Sequence, residues 1–163
     1  MHYELIRLAT IDPLTGLYNR RGFFEQATEA CARSDGAVSA IILDIDRFKS
    51  INDCYGHDTG DEAMRVCAAA ARAPEALAGQ LGGDEFALIL ERRALPEAVE
   101  IAEALRHRLS AHPLQTHKGP VTLTWSVGVG EASPGDTLDQ LLARADVPRK
   151  RAGAIAWSAQ MPS

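Results

Sequence analysis

The chain of 163 residues is 46% apolar and 24% charged, with a formal net charge of −5, the make-up of one globular domain able to bury roughly two thirds of its unfolded surface. The acidic balance argues against a general nucleic-acid binder, which would present a basic face. No apolar run approaches the ~20 residues of a spanning helix and no secretory pattern opens the chain, so a cytoplasmic protein without direct membrane insertion is expected.

In chain order, residues 2–10 read as the tail of a helix, and Asp12-Pro13-Leu14-Thr15-Gly16 has turn chemistry. Asn19 is placed to cap a helix whose apolar face is Phe23, Phe24, Ala27, Ala30 and Cys31, ended by Ser34-Asp35-Gly36. Val38–Ile45 reads as a buried strand with an acid near its end. A short helix over residues 48–54 leads through Tyr55-Gly56-His57-Asp58-Thr59-Gly60 into a helix carrying Ala63, Met64, Val66, Cys67 and Ala70. A strand before Gly82 and another over residues 86–90 form a hairpin, and Leu95, Ala98, Val99, Ala102, Leu105 and Leu109 recur at helical spacing.

Val121, Leu123, Trp125, Val127 and Val129 alternate with Thr122, Thr124, Ser126 and Gly128, the pattern of a single half-buried strand. Thr137-Leu138-Asp139-Gln140 has capping-box spacing and starts a helix with Leu141, Leu142 and Ala145, and a short strand is expected over residues 154–157. The order βααββαβαβ after an N-terminal helix implies an α+β fold of ferredoxin-like type, a mixed central sheet flanked by helices. Cys31, Cys54 and Cys67 form no CxxC pair and are odd in number, so reduced buried thiols are expected rather than a disulfide framework or zinc site.

The densest chemical signal is Gly82-Gly83-Asp84-Glu85-Phe86. Glycine permits backbone conformations and close approaches that a Cβ forbids, and adjacent acids at a turn are good ligands for a hard cation. Such a cation would let an acidic protein hold a polyphosphate. If the Val38–Ile45 strand and the hairpin are neighbours, Asp44 and Asp84 project at one sheet edge. The alternative for Asp44 is a cap on the following helix. Asp46 shares its face, as a second ligand or, better, in an ion pair.

These residues also carry a resemblance. Asp12-Pro13-Leu14-Thr15-Gly16-Leu17-Tyr18-Asn19-Arg20-Arg21, then Leu43-Asp44-Ile45-Asp46-Arg47-Phe48-Lys49-Ser50-Ile51-Asn52-Asp53 with Tyr55-Gly56-His57-Asp58 and Gly60-Asp61, then Gly82 to Phe86, Ser126-Val127-Gly128-Val129 and Ala145-Asp146 resemble the successive motifs of the GGDEF diguanylate cyclases. The likeness spans nearly the whole chain. It implies a nucleotidyl-cyclase-like domain over residues 11–160 with a protruding hairpin, preceded by a helix or linker over 1–10 and followed by a tail, 161–163.

The resemblance further implies an enzyme condensing two GTP into cyclic di-GMP and pyrophosphate, in bacterial second-messenger signalling, as a homodimer during catalysis. An upstream sensory domain or partner would govern it. Asp44, the Ile45 carbonyl and Asp84 would hold Mg²⁺ (or Mn²⁺), with Glu85 a weaker ligand or a brace for the hairpin, and Asp84 would be the base for the ribose 3′-hydroxyl. Asn52 and Asp61 would read guanine, unless they merely cap helices. His57 would lie near base and ribose. Phe48 and Lys49 would lie over the triphosphate, beside Gly82 and Gly83, and Lys150 would contact phosphate.

The chain also departs from the family pattern. Gln80 stands where an arginine is usual, Val147-Pro148-Arg149 shortens the path to Lys150, and Ala154 replaces a further arginine. Arg72-Ala73-Pro74-Glu75 is out of register with the usual product-inhibition motif, so no inhibitory product site is expected. The alternative to the enzyme is a degenerate domain that binds GTP or cyclic di-GMP without turnover and acts as a sensor or dimerisation module.

Overall fold

Strand β1 (Val38–Ile45) is apolar on both faces, which places it at the centre of the sheet. The computed structural model describes residues 2–146 and 155–157, with Leu8 and 155–157 described by backbone alone. Around β1 are α1 (His2–Thr10), α2 (Arg20–Arg33), α3 (Phe48–Tyr55), α4 (His57–Ala71), β2 (Ala76–Gln80), β3 (Glu85–Glu91), α5 (Leu95–Ser110), β4 (Leu114–Thr116), β5 (Gly119–Val121), β6 (Trp125–Glu131), α6 (Leu138–Ala145) and β7 (Ile155–Trp157). The main sheet has the order β2-β3-β1-β6-β7 and is antiparallel except for the parallel β6–β7 pair. This is the mixed α+β sandwich expected.

Alternation along β1 divides the core. Ile41, Leu43 and Ile45 pack with Ala63, Met64 and Cys67 of α4 and with Leu105 and Leu109 of α5. Val38, Ala40 and Ile42 face Phe23 and Ala27 of α2 and Leu141 and Leu142 of α6. Burying each large side chain of this set contributes about 1.5–3 kcal/mol.

Two helix starts follow the local signals. Asn19 Oδ1 accepts from the Gly22 amide at 2.9 Å. Thr137 and Gln140 close a reciprocal capping box, at 2.8 and 3.2 Å.

Three expectations are corrected. The alternating run from Val121 to Val129 is not one strand: β5 ends at Val121 and pairs with β4 in a separate hairpin, and β6 starts at Trp125. Nor is β6 half-buried, because residues 125–130 are all buried. Gly130 has no room for a side chain: a methyl there would lie 2.9 Å from the Ala145 amide nitrogen of α6. The second correction concerns α4, which begins at His57, so Gly60 lies within the helix. The third concerns the thiols, since Cys54 is exposed while Cys67 is buried.

Candidate active site

The candidate site lies where β1 runs out and β3 begins. Antiparallel register sets Asp44 opposite Glu85 of β3 on one side and Ser126 of β6 on the other. The Ile45 amide donates to the Asp84 carbonyl at 3.0 Å. Asp44, Ile45, Asp84 and Glu85 are thereby gathered at one end of the sheet. Asp44 does not cap the next helix, whose N-cap is Arg47.

The turn after β1 is held by its acid. Asp46 accepts from the Thr124 hydroxyl at 2.7 Å and from the Ser126 hydroxyl at 2.6 Å, and its amide donates to the Thr124 carbonyl at 3.0 Å. Two hydroxyl donors thus hold the Asp46 carboxylate. The next residue, Arg47, has φ +57°, a left-handed conformation costly for a residue with a Cβ. From there α3 begins with half-buried Phe48, packed on the core, and exposed Lys49.

Asn52 lies inside α3 and Asp61 inside α4, so neither caps a helix. The Asn52 side chain rests on the backbone of Gly60, where an added methyl would stand 1.8 Å from Oδ1. Gly60 therefore lets an amide lie one residue from the Asp61 carboxylate. His57 is the exposed first residue of α4. Lys150, with Pro148 and Ala154, lies outside the described residues.

The double glycine behaves differently from Gly60. Gly82 and Gly83 are exposed, neither has a left-handed φ, and an added methyl at either meets nothing within 4 Å. The fold itself does not require them to lack side chains, and the bend is open to close approach from solvent. The base of the bend is closed by the Leu81 and Gly82 amides, both donating to the Glu85 carbonyl, at 2.8 and 3.4 Å. Bracing of the hairpin is therefore seen in the main chain of Glu85.

Other contacts at the site cross long stretches of chain. Arg20 Nη1 reaches the Leu81 carbonyl at 3.4 Å. Lys118 Nζ donates to the Cys54 carbonyl at 3.1 Å and lies over the Tyr55 ring, so the β4–β5 turn holds the end of α3. Arg72 Nη2 donates to the Thr15 carbonyl at 2.9 Å, fastening the turn before α2. No periodicity or motif marks Thr124 or Lys118 for these roles, because each acts on residues far away in sequence.

The chemistry available is that of acids gathered where β1 ends and β3 begins, beside an open glycine bend. Hard oxygen donors of this kind suit Mg²⁺ or Mn²⁺. Among the described residues, no three His, Cys, Asp or Glu groups converge as a ready-made metal cluster. Nor is any helix among them long and apolar enough to cross a membrane.

The profile of the family described as diguanylate cyclase, GGDEF domain, matches residues 9–154. The response regulator PleD of Caulobacter vibrioides is 39% identical over 151 residues, covering 86% of this chain and 33% of PleD. The diguanylate cyclase VdcA of Vibrio cholerae is 38% identical over 144 residues, covering 85% of this chain and 42% of VdcA. The chain thus spans about a third of PleD's length. Among solved structures, the GGDEF domain of DgcB from Caulobacter crescentus, in complex with c-di-GMP, superposes with TM-score 0.79 at 35% identity, over 85% of this chain and 84% of that one. The diguanylate cyclase SiaD of Pseudomonas aeruginosa, in complex with its activator SiaC, gives TM-score 0.85 at 31% identity, over 96% of this chain and 65% of that one. Matching elements, motifs and superposition converge, and the chain belongs to the GGDEF diguanylate cyclase domain family.

Proposed function

We propose that the chain is a diguanylate cyclase that condenses two GTP into cyclic di-GMP. The 3′-hydroxyl oxygen of each GTP bonds to the α-phosphorus of the other, the bond from that phosphorus to the β-bridging oxygen breaks, and pyrophosphate leaves. Repeated in both directions, this closes the ring. The observation that carries the reading is the Ile45 amide bonded to the Asp84 carbonyl, which keeps the hairpin acid beside the end of the strand that carries Asp44.

Asp84 accepts the proton of the attacking 3′-hydroxyl, a role typically worth ~10²–10⁴-fold in rate. Asp44, the Ile45 carbonyl and Asp84 would hold Mg²⁺ or Mn²⁺, with Glu85 as the outlying carboxylate. Such a cation, when bound, neutralises phosphate charge and polarises the phosphoryl oxygen. Asn52 and Asp61 pair with the donors and acceptor on the guanine edge, and His57 lies by base and ribose. Phe48 and Lys49 cover the triphosphate, Gly82 and Gly83 let it approach, and Lys150 is the further phosphate contact. No product-inhibition site is proposed at Arg72–Glu75, which is out of register with the family motif.

Each domain holds one nucleotide, so turnover needs two copies facing one another. Control by an upstream sensory segment or a separate activator fits the greater length of PleD and the SiaD–SiaC complex. The test is incubation with GTP and Mg²⁺ or Mn²⁺, followed by chromatography for cyclic di-GMP. Product should form, disappear in Asp84→Ala, and lose specific activity on dilution. A second reading, nucleotide binding without turnover, is favoured by Gln80, which supplies no charge to a phosphoryl transition state. GTP bound without product would establish it.

A further inference from the structure

We propose that Gln80 is a positioning residue for this reaction, its carboxamide fixing the double-glycine bend so that Asp84 keeps its direction. The inference rests on the cyclase reading above. Two exposed glycines with no steric constraint would leave the bend loose, since glycine loses more conformational freedom on ordering than any other residue.

Gln80 Nε2 donates to the Gly82 carbonyl at 3.0 Å and, less closely, to that of Gly83 at 3.4 Å. The base of this clamp is itself held: the Gln80 amide donates to the Tyr18 carbonyl at 2.8 Å, and Gln80 pairs with Phe86 in the β2–β3 register. Its orientation is set by chemistry, because reversing the carboxamide would point oxygen at two carbonyl oxygens. The arrangement leaves Gln80 Oε1 buried with no hydrogen-bond partner among the described residues, a costly state for an acceptor.

The consequence falls on Asp84. Its preceding carbonyl, that of Gly83, is drawn toward Gln80, and its own carbonyl accepts from the Ile45 amide at 3.0 Å. Both peptide planes flanking the acid are therefore tied, one to each neighbouring strand. Gln80 does this without bringing a charge to the bend.

The test compares wild type with Gln80→Met, which keeps the bulk without a donor, with Gln80→Glu, which keeps the shape as an acceptor, and with Gln80→Arg, which donates again. Steady-state kinetics with GTP and Mg²⁺ should show kcat about 10–100-fold lower in Gln80→Met and Gln80→Glu, with KM within about threefold and folding retained. Gln80→Arg should keep kcat within about threefold of wild type. Backbone ¹⁵N order parameters at Gly82 and Gly83 should fall from about 0.85 toward 0.6 or below in Gln80→Met and recover in Gln80→Arg. Unchanged kcat and unchanged order parameters in Gln80→Met, or in Gln80→Glu where the first does not fold, would overturn the proposal. If wild type makes no cyclic di-GMP, the cyclase reading fails, and the order parameters alone decide the clamp.

Discussion

The Ser126 hydroxyl donates a 2.6 Å hydrogen bond to the Asp46 carboxylate, which also takes the Thr124 hydroxyl at 2.7 Å. These bonds anchor the turn into α3 on Thr124 and on Ser126 of β6, one residue before Arg47 with its left-handed φ. Asp46→Ala should therefore leave two partly buried hydroxyls without their acceptor and cost about 1–3 kcal/mol of stability. Urea unfolding measures it, and a loss under about 0.5 kcal/mol, the range of ordinary surface substitutions, would contradict the anchoring role.

Gly60→Ala and Gly82→Ala should separate packing from binding. A methyl at Gly60 collides with Asn52 Oδ1 at 1.8 Å, so Asn52 must turn away. GTP affinity should then fall about tenfold or more, as expected for losing a hydrogen bond to a charged or strongly polar partner. Nucleotide titration reads this, with circular dichroism to show the fold retained.

Gly82→Ala meets only open space. Its unfolding midpoint should stay within about 0.5 kcal/mol of wild type, while cyclic di-GMP production drops. Full activity in this variant would remove the argument that the bend is bare to admit a ligand.

The loop entering α6 should be sensitive to acid. A side-chain hydrogen bond from Arg144, with a further one from the Ser133 amide, holds the Asp136 carboxyl below its ordinary value of 3.8. A depressed folded-state value means the contribution to stability is complete above the unfolded value and is lost as pH falls through the folded one. Asp136→Asn should thus be less stable than wild type at pH 7, with the gap closing below about pH 4. Chemical unfolding across that range would detect a gap that fails to close.

Thiol labelling should distinguish the cysteines. Cys54 is exposed, whereas Cys67 is buried and its thiol is pushed up to about 12 by desolvation. Labelling at neutral pH should modify Cys54 in the native protein and reach Cys67 only on unfolding. Equal rates at the two positions would be incompatible with the α4 packing.

Much of this protein is written in short stretches of its sequence. The two-faced apolarity of Val38–Ile45, the caps at Asn19 and Thr137, and the helical spacing from Leu95 to Leu109 each depend on residues close in the chain, so periodicity reveals them. The Gly82-Gly83-Asp84-Glu85-Phe86 run is likewise local. What only the tertiary structure decided is the break between Val121 and Trp125, the packing of Gly130 against α6, the Gly60 contact with Asn52, the hydroxyl partners of Asp46 and the turn of the Gln80 side chain onto the neighbouring bend. Such relationships follow from strand register, helix docking and side-chain rotamers, which periodicity does not encode, and a one-residue change in the β1–β6 register would carry Ser126 away from Asp46.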